Sequence, residues 1–249
     1  MKQDLFDIVV VGAGVIGHSI AFRLSQTKPD LSLAVLGDPM HSLMASRAAA
    51  GMLAPFGECY EADRFFQFCR ESLKKYPQFI EELTLVSGVP INFSMMGSLM
   101  PKSSLKGNWD ERIRFFREEN VPHEIWSPKR SRELVPALAG SCDEIIWLGE
   151  GQVNNREMHD ALVVASQKLG IKVLEKNVTG FVHDTSTIEA AVTDAGEVRG
   201  RKFILASGSW SSQLGSILGV SLPLKPIKGQ MCRVKIDDQL DYTVHGLMT

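Results

Sequence analysis

Residues 6–17 read FDIVVVGAGVIG, and this stretch decides the fold. Its first half is a continuous apolar, β-branched run, the pattern of a strand buried on both faces of a parallel sheet. Its second half sets Gly12, Gly14 and Gly17 in the spacing GxGxxG. The segment that follows, HSIAFRLSQ, places Ile20, Ala21 and Leu24 in helical register with Ile16. A lone GxGxxG is weak evidence; strand, glycine turn and helix in that order are specific. Gly12 allows the tight turn, Gly14 lets a pyrophosphate approach the backbone, and Gly17 lets the helix pack on the strand. The helix N-terminus then faces the phosphates.

A second strand, LSLAVL, ends in LGDP. Dinucleotide folds place an acidic residue there to take the ribose hydroxyls. Asp38 supplies the acid one residue late, after Gly37, so it reaches the ribose only if the chain turns at Gly37. Pro39 suits such a turn. Seven residues further on begins ASRAAAGMLAPFGE, residues 45–58. It is too small-sided to build a core and too apolar for an ordinary solvated loop. A flat ring system needs small side chains and free N–H groups along one edge, and RAAAGM offers both. Late in the chain KFILASGSW reads as another buried strand. Ala206 and Gly208 at its end form a second place where backbone can pass close to a dinucleotide.

These segments resemble the glycine oxidase branch of the FAD-dependent D-amino-acid oxidase superfamily. The matching stretches are VVGAGVIGHSIAFRLS, SRAAAGMLAPFGE, GEGQVNNREMHDAL, ILASGSWS and PIKGQM, in the family's order across the whole chain. AAAGML followed by Glu58, together with PIKGQM, favours the glycine oxidase branch. The resemblance implies an α/β fold: a Rossmann-like FAD-binding domain with an inserted α+β substrate domain on a mixed, largely antiparallel sheet. It implies non-covalent FAD, with Val15 and Ile16 against the pyrophosphate and Gly37 and Asp38 at the adenosine ribose. Ala45 and Ser46 would contact the phosphate and ribityl region. Ala50, Gly51 and Met52 would offer backbone to the isoalloxazine, and Val178 would bond the adenine through its main chain. Arg47 stands where the family has a small hydroxyl residue, which leaves the phosphate contact there open. Met52 and Glu58 lie on the substrate side.

The implied reaction oxidises the C–N bond of a small amino acid or amine such as glycine, sarcosine or a D-amino acid. Hydride passes to flavin N5, an imino acid leaves, and molecular oxygen yields hydrogen peroxide. A sarcosine oxidase-like or D-amino-acid dehydrogenase-like enzyme with another electron acceptor is the alternative, as is a non-catalytic FAD-binding fragment. The family's carboxylate-binding arginine falls beyond Thr249, so the chain is expected to be truncated.

The remaining sequence bounds this reading. The 249 residues are 44% hydrophobic and carry a net charge of −2, which points to no nucleic-acid or membrane partner. Cys59, Cys69, Cys142 and Cys232 form no CxxC pair and read as free thiols in a reducing cytoplasm. His18, His41, His123, His159, His183 and His245 are scattered, so no metal site is expected. His18 reads as a capping or surface histidine. Residues 63–88 form an amphipathic helical pattern with Phe65, Phe66, Phe68, Leu73, Phe79, Ile80 and Leu83 as its apolar positions, kinked or broken at Pro77. Strands INFSMMGSLMP and HEIWS flank a polar helix, WDERIRFFREE, and mark the inserted domain. NREMHDALVVASQKLG reads as a helix. The expected domains are residues 1–88 plus 150–222 for FAD and residues 89–149 plus 223–249 for substrate. The partners are a small amino-acid or amine substrate and oxygen; homo-oligomerisation is left open.

Overall fold

In a computed structural model the chain is described at residues 5–105, 107–138, 143–232 and 242–246. In chain order the elements are β1 (Leu5–Val11), α1 (Val15–Thr27), β2 (Leu33–Leu36), α2 (Ala45–Ala48), β3 (Met52–Leu53), α3 (Pro55–Glu58) and α4 (Arg64–Ser87). Next come β4 (Phe93–Ser94), β5 (Ser98–Pro101), α5 (Trp109–Glu118), β6 (His123–Trp126), α6 (Pro128–Leu134), β7 (Ile145–Leu148), β8 (Gly151–Val153) and α7 (Asn155–Lys168). The rest are β9 (Lys172–Leu174), β10 (Val178–His183), β11 (Ile188–Thr193), β12 (Gly196–Leu205), α8 (Ser211–Ile217) and β13 (Thr243–Val244).

Two compact units result. The first comprises Met1–Ala49, Glu82–Pro90 and Asn155–Met231. Its sheet runs β10-β11-β12-β1-β2-β9, with β12, β1, β2 and β9 parallel and β10, β11 and β12 antiparallel. The run at β1 is apolar throughout because both its faces are covered. Ile8 and Val10 pack with Ala21, Leu33, Val35 and Ile171, while Val9 and Val11 pack with Ala34, Leu36, Ala191, Val198 and Leu214.

The second unit comprises Ala50–Glu81, Ile91–Asn154 and Cys232–Thr249. It carries a small antiparallel sheet, β3-β8-β4, and a mixed sheet, β13-β5-β7-β6. These sheets and the first unit give the α/β class expected, a Rossmann-like unit with an inserted, largely antiparallel one. The boundaries differ from those read in the sequence: residues 50–81 belong to the second unit, and the chain re-enters the first at 155 rather than 150. The reason is pairing and packing. Met52 and Leu53 pair with β8, and Phe66 and Leu73 of α4 share a core with Met100, Ile113, Phe116 and Ile146. Part of the expected 223–249 segment lies outside the described residues, as does Cys142.

Helix α4 runs unbroken through Pro77, where a kink or a break was expected. Its buried positions, Phe66, Leu73, Ile80 and Leu83, keep one face toward the protein, whereas Phe65 and Phe68 are exposed. No helix among the described residues is long and apolar enough to cross a membrane.

Candidate functional site

In the first unit, three turns meet at the carboxyl ends of the parallel strands. The Gly12 N–H donates to Leu36 O at 2.8 Å, the Gly37 N–H to Leu174 O at 3.0 Å, and the Ala206 N–H to Val11 O at 2.8 Å. This edge is where open α/β sheets take ligands. A cleft lined by Phe6, Ser25, Pro29 and Leu31 lies at the opposite, amino edge and is a separate feature.

The three motif glycines are needed for different reasons. Gly12 has φ +120°, and a Cβ there would sit 2.3 Å from the Ala206 carbonyl oxygen. A Cβ at Gly17 would sit 1.9 Å from the Gly12 carbonyl oxygen. The protein's own packing excludes side chains at both. Gly14 has φ −79° and ψ −178°, a conformation open to any residue. A Cβ there would meet one neighbour, the Ser46 hydroxyl at 3.2 Å. The space kept open at Gly14 lies at the N-terminus of a 13-residue helix. That cradle fits a pyrophosphate, which the positive helix end favours.

The other positions singled out in the sequence fall as follows. Ser46 Oγ accepts from the Val15 N–H at 3.0 Å, so α2 closes against the start of α1. Ile16 is exposed. Gly37 has φ +132°, the turn that Asp38 was expected to need. Asp38 Oδ1 accepts from the Met40 N–H at 2.7 Å and so caps its own turn. Val178 packs on the sheet face that includes Leu36 and Leu174. Gly208, at φ +56°, has nothing near the place of a Cβ. Ala45, Ser46 and Arg47 belong to the first unit, Ala50, Gly51 and Met52 to the second. Gly51 has φ +82°, and Ala48, Ala49, Ala50 and Met52 are exposed.

Arg47 turns toward α7. Its guanidinium pairs with Asp160 and lies 3.3 Å from His159 Nδ1. His18, read as a capping or surface histidine, is fully buried. Ser166 Oγ donates to Leu162 O, which leaves it to accept from His18 Nδ1 at 2.9 Å. His18 Nε2 has no partner among the described residues. Burial, aided by the neighbouring His159, pushes the His18 pKa down to about 4. Burial also lowers that of His159.

The second unit holds a cluster that residue-by-residue reading of the sequence missed. Glu150 is fully buried just before β8. Its Oε1 accepts from the N–H groups of Phe56 at 2.5 Å and Gly57 at 2.7 Å. Its Oε2 accepts from Ser98 Oγ and lies 3.4 Å from His245 Nε2. His245 Nδ1 stands 3.5 Å from the exposed Glu58 carboxylate. Arg112, on the helix read as polar, is buried and donates to the Cys59 carbonyl at 2.7 Å and to that of Phe56. Desolvation lowers its pKa. Exposed Met52 pairs with Gln152 on β8. The only sequence signal was the GEGQV stretch, where a charged residue stands between two glycines beside an apolar strand.

Strand, glycine turn and helix at the carboxyl edge of a parallel sheet define a dinucleotide-binding α/β protein. Residues 7–247 match the model of the DAO family, described as FAD dependent oxidoreductase, and the chain belongs to that family. FAD is therefore the family's cofactor. The chain is similar to the bifunctional protein ThiO/ThiG of Synechocystis sp., at 29% identity over 94% of this chain and 34% of that one. It is similar to the glycine oxidase of Geobacillus kaustophilus, at 27% identity over 92% of this chain and 62% of that one. The crystal structure of a G. kaustophilus glycine oxidase superposes with a TM-score of 0.77 at 26% identity, covering 87% of this chain and 59% of that one. These relatives agree with the glycine oxidase branch that the motifs implied. The chain spans about a third of the first relative and six-tenths of the second.

Proposed function

We propose that the first unit binds FAD non-covalently along Gly12–Gly17, Gly37, Asp38 and α2. The chain then serves oxidation of the C–N bond of a small amino acid or amine, glycine foremost, with oxygen as the acceptor. Bound FAD supplies the hydride acceptor for this chemistry. The chain's residues supply binding and position. The first helix end faces the pyrophosphate, and the exposed Ala48–Ala50 run admits a flat ring. The Glu58 carboxylate, beside His245, attracts the substrate ammonium. Free Cys59, Cys69 and Cys232 suit a reducing cytoplasm.

One observation carries this reading. Backbone conformation does not require glycine at position 14, and a Cβ there would ask only the Ser46 hydroxyl to give by a few tenths of an ångström, so the missing side chain answers chiefly to something outside the chain. The test is purification followed by FAD titration, then assay of glycine-dependent peroxide against dye reduction under nitrogen. Flavin retention with peroxide supports the oxidase. Dye reduction without peroxide favours the dehydrogenase-like reading, and a chain that retains no flavin sinks the proposal.

A further inference from the structure

The first two turns of α7 grip both segments assigned to the pyrophosphate. His159 is fully buried, and its Nε2 lies 2.9 Å from the Ala13 carbonyl oxygen. Its Nδ1 faces the Arg47 guanidinium, which can only donate, so Nδ1 accepts and Nε2 carries the proton. Burial lowers its pKa and so favours the neutral form, which the Arg47 contact needs. From the same two turns Asn155 Nδ2 donates to Ser46 O at 2.7 Å, Arg156 Nε donates to Arg47 O at 3.2 Å, and Asp160 pairs with the Arg47 side chain.

The Ala13–Gly14 peptide is planar and trans, so its C=O and N–H point in opposite directions. With the Ala13 carbonyl held inward on α7, the Gly14 N–H is aimed away from α7. We propose that His159 is a positioning residue for the dinucleotide: it fixes the Ala13–Gly14 peptide in the orientation that presents the Gly14 N–H to the FAD pyrophosphate. Asn155 does the same for Ser46 through its carbonyl. The Arg47–Asp160 pair holds the imidazole tautomer. This gives Arg47 a role without any contact to phosphate.

The inference rests on the FAD reading, and the test separates the two. His159→Gln and His159→Met are nearly equal in size, and only glutamine can donate to the Ala13 carbonyl. FAD affinity is measured by quenching of flavin fluorescence, and the melting point of each flavin-free protein is recorded beside it. His159→Met is expected to bind FAD about tenfold more weakly than the unsubstituted chain, the worth of one hydrogen bond. His159→Gln is expected to recover most of that loss at a similar melting point. Should His159→Met fail to fold, Asn155→Ala tests the second arm, with a severalfold loss of FAD affinity expected. Equal FAD affinity in the unsubstituted chain and His159→Met, or in the unsubstituted chain and Asn155→Ala where that variant stands in, overturns the positioning role alone. So does a glutamine variant as weak as the methionine one. An unsubstituted chain that binds no FAD overturns the cofactor reading and this proposal with it.

Discussion

Adding one methyl group at Gly14 and, separately, at Gly17 should give opposite results. At Gly17 the new Cβ lands 1.9 Å from the Gly12 carbonyl oxygen and 3.4 Å from Val10 Cγ1. Backbone must move, and such overpacking costs about 1–3 kcal/mol. For a chain this long each kcal/mol lowers the melting point by roughly 2–4 °C, so Gly17→Ala should melt some 2–12 °C lower, toward the upper end because backbone is what it meets. At Gly14 the dihedrals suit alanine, and the one neighbour is a hydroxyl 3.2 Å away. Loss of a favoured N-cap costs up to about 1 kcal/mol, and the stiffer unfolded chain returns about 0.4–1 kcal/mol. The flavin-free melting point should therefore stay within about 3 °C. FAD affinity should fall by about 1–3 kcal/mol, or roughly 5–150-fold, because the methyl stands where the pyrophosphate must approach. Differential scanning of the apoprotein and flavin fluorescence titration read both effects. Unchanged FAD affinity in Gly14→Ala would show that the turn is not a dinucleotide cradle, and an unshifted melting point in Gly17→Ala would refute the packing argument.

Asp38→Ala should weaken FAD by about 1–3 kcal/mol if the carboxylate takes the ribose hydroxyls. Asp38→Asn keeps an acceptor for the Met40 N–H, so a loss in both variants isolates the ribose contact, and a loss in neither makes Asp38 a turn residue only. The buried His18, with its pKa lowered from 6.5 to about 4, binds its proton more readily in the unfolded chain. Its contribution is present above pH 6.5 and is lost as pH falls toward 4, on the order of 3 kcal/mol in all. His18→Leu should flatten the fall in apoprotein melting point between those limits; an unaltered slope would assign it to other groups. Gly51→Leu places a side chain at φ +82°, which costs about 1–2 kcal/mol, so the variant should fold less stably, bind FAD poorly and show no turnover. A normal flavin spectrum in that variant would mean that AAAGM does not meet the ring.

Much of the first unit was legible because its signals are local. A two-faced apolar strand, glycines at fixed offsets and a helical repeat all lie within residues 6–24, and β1, the turn and α1 form there. The boundary of the second unit was not legible. Ala50–Glu81 looked continuous with the nucleotide segment, yet β3 pairs with β8 across about a hundred residues, and no spacing rule reports such a pairing. Phe65 and Phe68 misled for a related reason. Aromatic content marked the helix as amphipathic, but the buried face is set by Phe66, Leu73 and Ile80, which repeat every seven residues.

The polar side chains divide in the same way, and the division bears on function. Asp38 could be singled out because its place follows from one strand and one turn. The roles of His159, His18, Arg47 and Glu150 could not be read, since each acquires its role from a partner more than ninety residues away. Two of them are buried directly behind backbone: His159 behind the Ala13 carbonyl, Glu150 behind the Phe56 and Gly57 N–H groups. A cofactor that carries out its own redox chemistry asks the protein chiefly for correctly aimed peptide groups. Peptide groups are aimed by what holds their other side. A buried polar residue behind the Ala13 turn is therefore what such a cofactor requires of the first unit, and replacing His159 should change flavin affinity without its touching the flavin.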